Sequence, residues 1–160
     1  MEAVKESGKT RSIGVSNYLQ KDLEATLATA RIPPSTNQIE YHPYLQHGDL
    51  VPYMKSKNIV PSAYGPLTPI TKAKPGPCDT LLEALANKYY VSEGEIALRW
   101  CMDQGIITIT TSGKEQRLSD FLRATTFKLT PKEVKDVSDA GFLKHFRGFW
   151  QAKFDKDDRS

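Results

Sequence analysis

The sequence is short of cysteine. Two thiols in 160 residues, Cys78 and Cys101, are too few and too far apart for a disulfide framework or a metal knot. They are expected to be reduced, in an intracellular, cytoplasmic protein. Long apolar runs are also missing: no stretch of about 18 apolar residues exists, so no membrane-spanning helix is expected. Residues 1–12 (MEAVKESGKTRS) are charged and carry no apolar stretch, so no secretory leader is expected there. A strong charge of one sign is lacking as well. The 22 basic and 19 acidic residues are interleaved and sum to +3, which favours neither nucleic acid nor a membrane surface as partner. What remains is a 39% apolar chain of 160 residues, enough for one domain with a real core.

Four short runs rich in β-branched or apolar residues read as strands: residues 11–17 (RSIGVSN), 36–41 (TNQIEY), 59–64 (IVPSAY) and 106–110 (IITIT). Between them lie helical patterns. Residues 3–9 read as last helical turns ended by Gly8. Residues 19–31, which Ser16 or Asn17 is expected to cap, place Leu19, Leu23, Leu27 and Ala30 on one face and stop at Pro33-Pro34. Further helices are expected over 48–57, 79–89, from the Ser92–Glu95 capping pattern to Gln104, over 114–123, and from Pro131 to near Gly141. Residues 65–78, rich in proline and glycine, read as a long loop. Pro61 is awkward in a central strand because it donates no ladder bond. Short strands alternating with helices predict a parallel sheet, whose site gathers at the loops leaving the C-terminal strand ends. Those loops hold Ser16 and Asn17, then His42, then 65–77, then 111–117.

Residues 105–120 (GIITITTSGKEQRLSD) draw the most interest. A strand, a polar turn and a helix start make an anion site, because the first helical N–H groups lack internal partners and the dipole favours negative charge. Ser112 is expected to cap that helix, with Arg117 on its first turns facing the ligand. An ordinary helix start with a surface arginine is the plainer alternative.

Four motifs stand in order: residues 8–18 (GKTRSIGVSNY), 37–44 (NQIEYHPY), 62–67 (SAYGPL) and 109–117 (ITTSGKEQR). With them the chain resembles the C-terminal half of an aldo-keto reductase, over essentially its whole length. The finer likeness, from the TTS-KEQRLSD run, is to fungal members that reduce α-keto amides or conjugated polyketones. The resemblance implies an α/β fold: four parallel strands with helices, the C-terminal half of a (β/α)8 TIM barrel, plus an extra C-terminal helix and tail. It makes residues 1–160 a single partial domain. It implies NADPH as cofactor. Ser16, Asn17 and Gln38 match the residues that hydrogen-bond the nicotinamide carboxamide. Tyr64 matches the ring that stacks on the nicotinamide, and Gly65, Pro66 and Leu67 begin the loop over the pyrophosphate. Ser112 and Arg117 match the clamp on the adenosine 2′-phosphate, flanked by Thr110 and Thr111, and Asp120 sits where the family contacts adenine. Two departures bear on the cofactor. Thr110-Thr111 replaces the usual Pro-Lys, leaving Lys114 to reach in. Asp120-Phe121 replaces the usual Glu-Asn. Arg117 keeps NADPH the expected cofactor, while a role for NADH stays open.

The family's catalytic tyrosine, lysine, aspartate and histidine belong to the first four strands, before this sequence begins. His42, Tyr41 and Tyr44 are not that set, so no catalytic residue is assigned. Met1 is expected to stand where a longer protein has an internal methionine. Half a barrel leaves its inner face and two edges wet, and Ile13, Val15, Ile39, Tyr41, Ile107 and Ile109 are expected to suffer, at roughly 1.5–3 kcal/mol for each side chain exposed. The expected remedy is an N-terminal half-barrel partner or self-association. Three functions remain in view: the cofactor-holding half of a reductase of small carbonyl compounds, a non-catalytic nucleotide-binding module, or an inactive remnant. In the tail, His145, Phe146, Phe149 and Trp150 either line a substrate pocket or belong to a segment that merely packs across the barrel or stays mobile.

Overall fold

The computed structural model describes residues 1–155 and 157–159. Its strands, β1 (Val15–Ser16), β2 (Thr36–Glu40), β3 (Val60–Tyr64) and β4 (Ile107–Thr108), run parallel in the sheet order β1-β2-β3-β4. Helices α1 (Glu2–Glu6), α2 (Gln20–Thr29), α3 (Leu50–Ser56), α4 (Thr68–Thr71), α5 (Asp79–Tyr89), α6 (Glu93–Asp103), α7 (Glu115–Arg123) and α8 (Pro131–Phe142) complete the chain. Successive strands joined by helices lie side by side, which is half of a (β/α)8 barrel followed by α8 and a tail.

Register decides which side chains have cover. Ser16 pairs with Gln38, Gln38 with Ser62, and Ser62 with Ile107, so these share one face. Asn37, Ile39, Pro61 and Ala63 share the other, against the helices. There Leu23, Ile39, Met54, Leu82, Ile96 and Trp100 are at most 2% exposed. Tyr41 follows Ile39 into this layer and stacks on Trp100 with ring centres 5.3 Å apart. The expectation that Ile39 and Tyr41 lose cover is therefore corrected, and Ile13 is buried as well. The loss falls instead on the open face, where Val60, Ile107 and Ile109 are exposed by 41%, 52% and 40%.

Local chemistry explains several details. Ser92 and Glu95 form the expected capping box, and Thr130 and Glu133 form another ahead of Pro131. Gly14 brings β1 close to β2: a Cβ there would lie 2.8 Å from the Thr36 carbonyl oxygen. Pro61 is tolerated in β3. Val60 N–H donates to Ser35 O at 2.9 Å, so alternation turns the Pro61 nitrogen toward β4, below the Ser62–Ile107 pair where that ladder begins. α8 ends at Phe142, beside Gly141 as expected, and a Cβ at Gly141 would collide with Pro43 O. Three expectations need correction. Residues 65–78 are not all loop, since Pro69 fits the first turn of α4. Neither Ser16 nor Asn17 caps α2; Leu19 does, its N–H held by Asp22 at 2.9 Å. Ser112 does not cap α7 either. Lys114 is the N-cap, and the Ser112 hydroxyl accepts from its N–H at 3.1 Å. Cys78 and Cys101 are free and buried.

Candidate functional site

The strand ends bring four of the expected residues together. Asn17 turns the chain out of β1 in the left-handed region, at φ 56°, a conformation asparagine tolerates better than most. Its N–H and the Ser16 hydroxyl both donate to Gln38 O, each at 2.9 Å. The Tyr64 hydroxyl reaches across from β3 and donates to Asn17 Oδ1 at 2.8 Å. Burial, and then the neighbouring Glu40 charge, push the Tyr64 phenol up to about 12. It keeps its proton at neutral pH, so it offers a flat ring and a donor rather than a base.

Glu40, opposite Tyr64 in register, is 1% exposed. Burial works against its charge. The His42 ring at 3.0 Å and the Gly148 and Phe149 N–H groups at 2.7 and 3.1 Å outweigh that and hold the carboxyl below its usual range. Glu40 thereby ties the tail across the strand ends. Phe149 meets Tyr64 edge-on with centroids 5.5 Å apart, Lys72 lies 3.6 Å over the Phe149 ring, and Lys153 donates to Asn17 O at 3.0 Å. The tail packs across the barrel, as one of its two expected roles had it. His145 and Phe146 line a separate cavity of about 450 Å3 together with Arg147 and Phe154.

A second cluster forms where β3 leads into α4. Gly65 makes the turn at φ +65°, Pro66 is buried, and Leu67 is the N-cap of α4. Leu67, Ile70, Arg117, Asp120 and Phe121 line a cavity of about 270 Å3, with Ser92 and Gly94 at the start of α6. Arg117 forms no ion pair among the described residues, whereas Arg123, two turns on, is held by Glu95 at 2.9 Å. An exposed guanidinium at a helix start, committed to no carboxylate, suits a phosphate. Thr110, Thr111 and Ser112 form the turn between β4 and α7 and are not among the walls of this cavity.

A model of the aldo/keto reductase family matches residues 1–141. The chain belongs to the aldo/keto reductase family. It is 37% identical over 151 residues to the NAD/NADP-dependent indole-3-acetaldehyde reductase of Schizosaccharomyces pombe, covering 93% of this chain and 53% of that protein. It is 36% identical to the NADPH-dependent alpha-keto amide reductase of Saccharomyces cerevisiae, covering 98% and 52%. Among solved structures, the Bombyx mori aldo-keto reductase in complex with NADP superposes with a TM-score of 0.81 at 34% identity, covering 87% of this chain and 47% of that one. The chain thus spans about half the length of the curated relatives it matches.

Within this family member, three features escaped the sequence reading. Phe121, noted only for failing to replace an asparagine, is a cavity wall. Ile70 reaches the cavity from a helix read as loop. Glu40 is the buried anchor of the tail; a lone charge between Ile39 and Tyr41 was the available signal.

Proposed function

We propose that this chain binds a nicotinamide dinucleotide, NADPH before NADH, as the cofactor-holding half of a reductase acting on small carbonyl compounds. One observation carries the reading: Arg117, without an acidic partner among the described residues, shares a cavity with Asp120 and with Leu67, which lies three residues along the chain from Tyr64. At about 270 Å3 that cavity is smaller than the roughly 300–1,000 Å3 of a whole small-ligand site, which suits one end of an elongated ligand. In this reading Arg117 and Ser112 take the 2′-phosphate, with Thr110 and Thr111 beside them, and Asp120 contacts the adenine. Gly65, Pro66 and Leu67 pass along the pyrophosphate. Ser16, Asn17 and Gln38 orient the carboxamide, and the Tyr64 ring supports the nicotinamide face. The bound dinucleotide supplies hydride to the carbonyl carbon. Protonation of the carbonyl oxygen needs an acid that these residues do not provide, so turnover waits on the remainder of a barrel.

Fluorescence titration of the 160-residue chain tests the binding step. NADPH is expected to bind, and Arg117→Ala to weaken it by about ten- to a hundredfold while leaving NADH nearly unchanged, the scale of one charge-assisted contact. A flat NADPH titration overturns the reading. Adding the N-terminal half of a relative separates a reductase half, which then turns over, from a nucleotide-binding module, which does not.

A further inference from the structure

The cavity that holds Arg117 has apolar walls, and most of its polar groups are already spent. Phe121, Leu67 and Ile70 supply the apolar surface. Gly94 adjoins two of them: a Cβ there would lie 3.7 Å from Leu67 Cδ2 and 3.7 Å from Phe121 Cε1. Helix α7 is held to α6 by Arg123, whose guanidinium donates to the two oxygens of Glu95 at 2.9 and 3.0 Å, and Glu95 is 0% exposed. That fork lies two residues beyond Phe121 on α7 and one beyond Gly94 on α6, so the ring is set in place before a ligand arrives. The Thr71 hydroxyl donates to Leu67 O at 2.9 Å, and the Ser92 hydroxyl to Glu95 Oε2 at 2.8 Å. Asp120 Oδ1 accepts from Gln116 Nε2 at 3.0 Å and faces the Arg123 guanidinium at 3.5 Å. A flat heterocycle entering here meets a ring face and aliphatic carbon, with oxygen acceptors along its edge. Among the described residues that line the cavity, Arg117 alone keeps side-chain donors to offer, and the cofactor reading commits those to the 2′-phosphate.

We propose that Phe121 is the platform for the base of the dinucleotide, and that the site grips a purine by its face without selecting the group at its 6-position. The inference rests on the cofactor reading and deepens it at one end of the ligand. The spacing agrees with the ligand. The base and the 2′-phosphate leave neighbouring ribose carbons, and Phe121 and Arg117 are i, i+4 neighbours on one face of α7. Stacking tolerates any base, because every base has a π face. The acceptor-only edge is equally tolerant. A carboxylate accepts from the 6-amino group of adenine, and it accepts as well from the ring N1–H of hypoxanthine, which carries oxygen in place of that amino group.

Fluorescence titration of the 160-residue chain with NADPH, and with its reduced hypoxanthine analogue, reads the outcome. The two dissociation constants are expected to agree within about fivefold, less than a charged hydrogen bond to the exchanged group would give. Phe121→Ala is expected to weaken both ligands together by about ten- to a hundredfold, the scale of one base–aromatic contact. Its far-UV circular dichroism spectrum is expected to stay unchanged, since the ring is only half-buried. Phe121→Tyr, which keeps the ring, is expected to bind both ligands like wild type. Phe121→Leu, which keeps only apolar bulk, is expected to fall between Phe121→Ala and wild type. A gap between the two ligands wider than about fivefold would overturn the proposal. So would a Phe121→Ala or Phe121→Leu chain that binds like wild type, or a Phe121→Tyr chain that binds like Phe121→Ala. A flat NADPH titration of the wild-type chain sinks the cofactor reading and this inference with it, whereas NADPH binding indifferent to Phe121 removes the inference alone.

Discussion

Glu133 shows how one side chain sets a pH limit on this fold. Burial disfavours its charge, but the Lys88 ammonium at 2.6 Å, the Thr130 N–H at 2.7 Å and the Tyr89 hydroxyl at 2.7 Å pull it down to about 2. A carboxyl depressed from 4.5 contributes its full stability above that value and loses it as pH falls toward 2. Denaturant melts at neutral pH and near pH 3 are expected to show the loss. Glu133→Gln is expected to cost about 2 kcal/mol at neutral pH and to flatten that acid dependence. Glu40 follows the same sign. Glu40→Ala removes the acceptor for Gly148 and Phe149 N–H and is expected to speed tryptic cleavage at Arg147 and Lys153 several-fold. The motif residues at the strand ends were legible because each motif carries its own neighbours. The role of Glu40 was not, because its backbone donors lie 108 and 109 residues away.

At the scale of the element, local rules read well and long-range ones did not. The capping patterns at Ser92 and Thr130–Pro131 mark their helices because all their bonds fall within one turn. Gly8, expected to end the first helix, follows its C-cap at φ +75°. The edge strands came out shorter than their apolar runs, two residues each, because one neighbour alone fixes them. α4 was hidden by prolines that suit a helix start as well as a loop. The tail is the element whose place depends most on tertiary contact. Truncation after Leu143 removes Phe149 from Tyr64 and is expected to tighten NADPH binding by up to about tenfold, as when an intramolecular competitor is removed. Unchanged affinity in fluorescence titrations of the truncated chain would show that the tail and the dinucleotide do not compete.

For the whole molecule, the consequence of half a barrel is a core with one roof. The helix-facing layer converges on Trp100, which stacks on Tyr41 and donates from Nε1 to Val134 O at 3.1 Å, joining α6, the end of β2 and α8. Trp100→Ala is expected to cost about 3–5 kcal/mol. Against a total of about 5–15 kcal/mol for a typical domain, that removes much of the margin, and a broadened or lost thermal transition measures it. The parallel sheet was legible from the four-fold strand–helix alternation, and the half-barrel from the family resemblance. Which apolar residues stay dry was not, because a shift of one residue in register exchanges the two faces.

Cys78 and Cys101 are each 0% exposed, and burial raises both thiols, Cys78 to about 11. Neither sulfur meets a reagent in solution while the chain stays closed. Alkylation therefore becomes a clock: Cys78, just before α5, times the loosening of that helix start, and Cys101, inside α6, times the breathing of the hub around Trp100. An unequal pair of adduct rates, followed by mass spectrometry, would tell which part of the half-barrel lets go earlier.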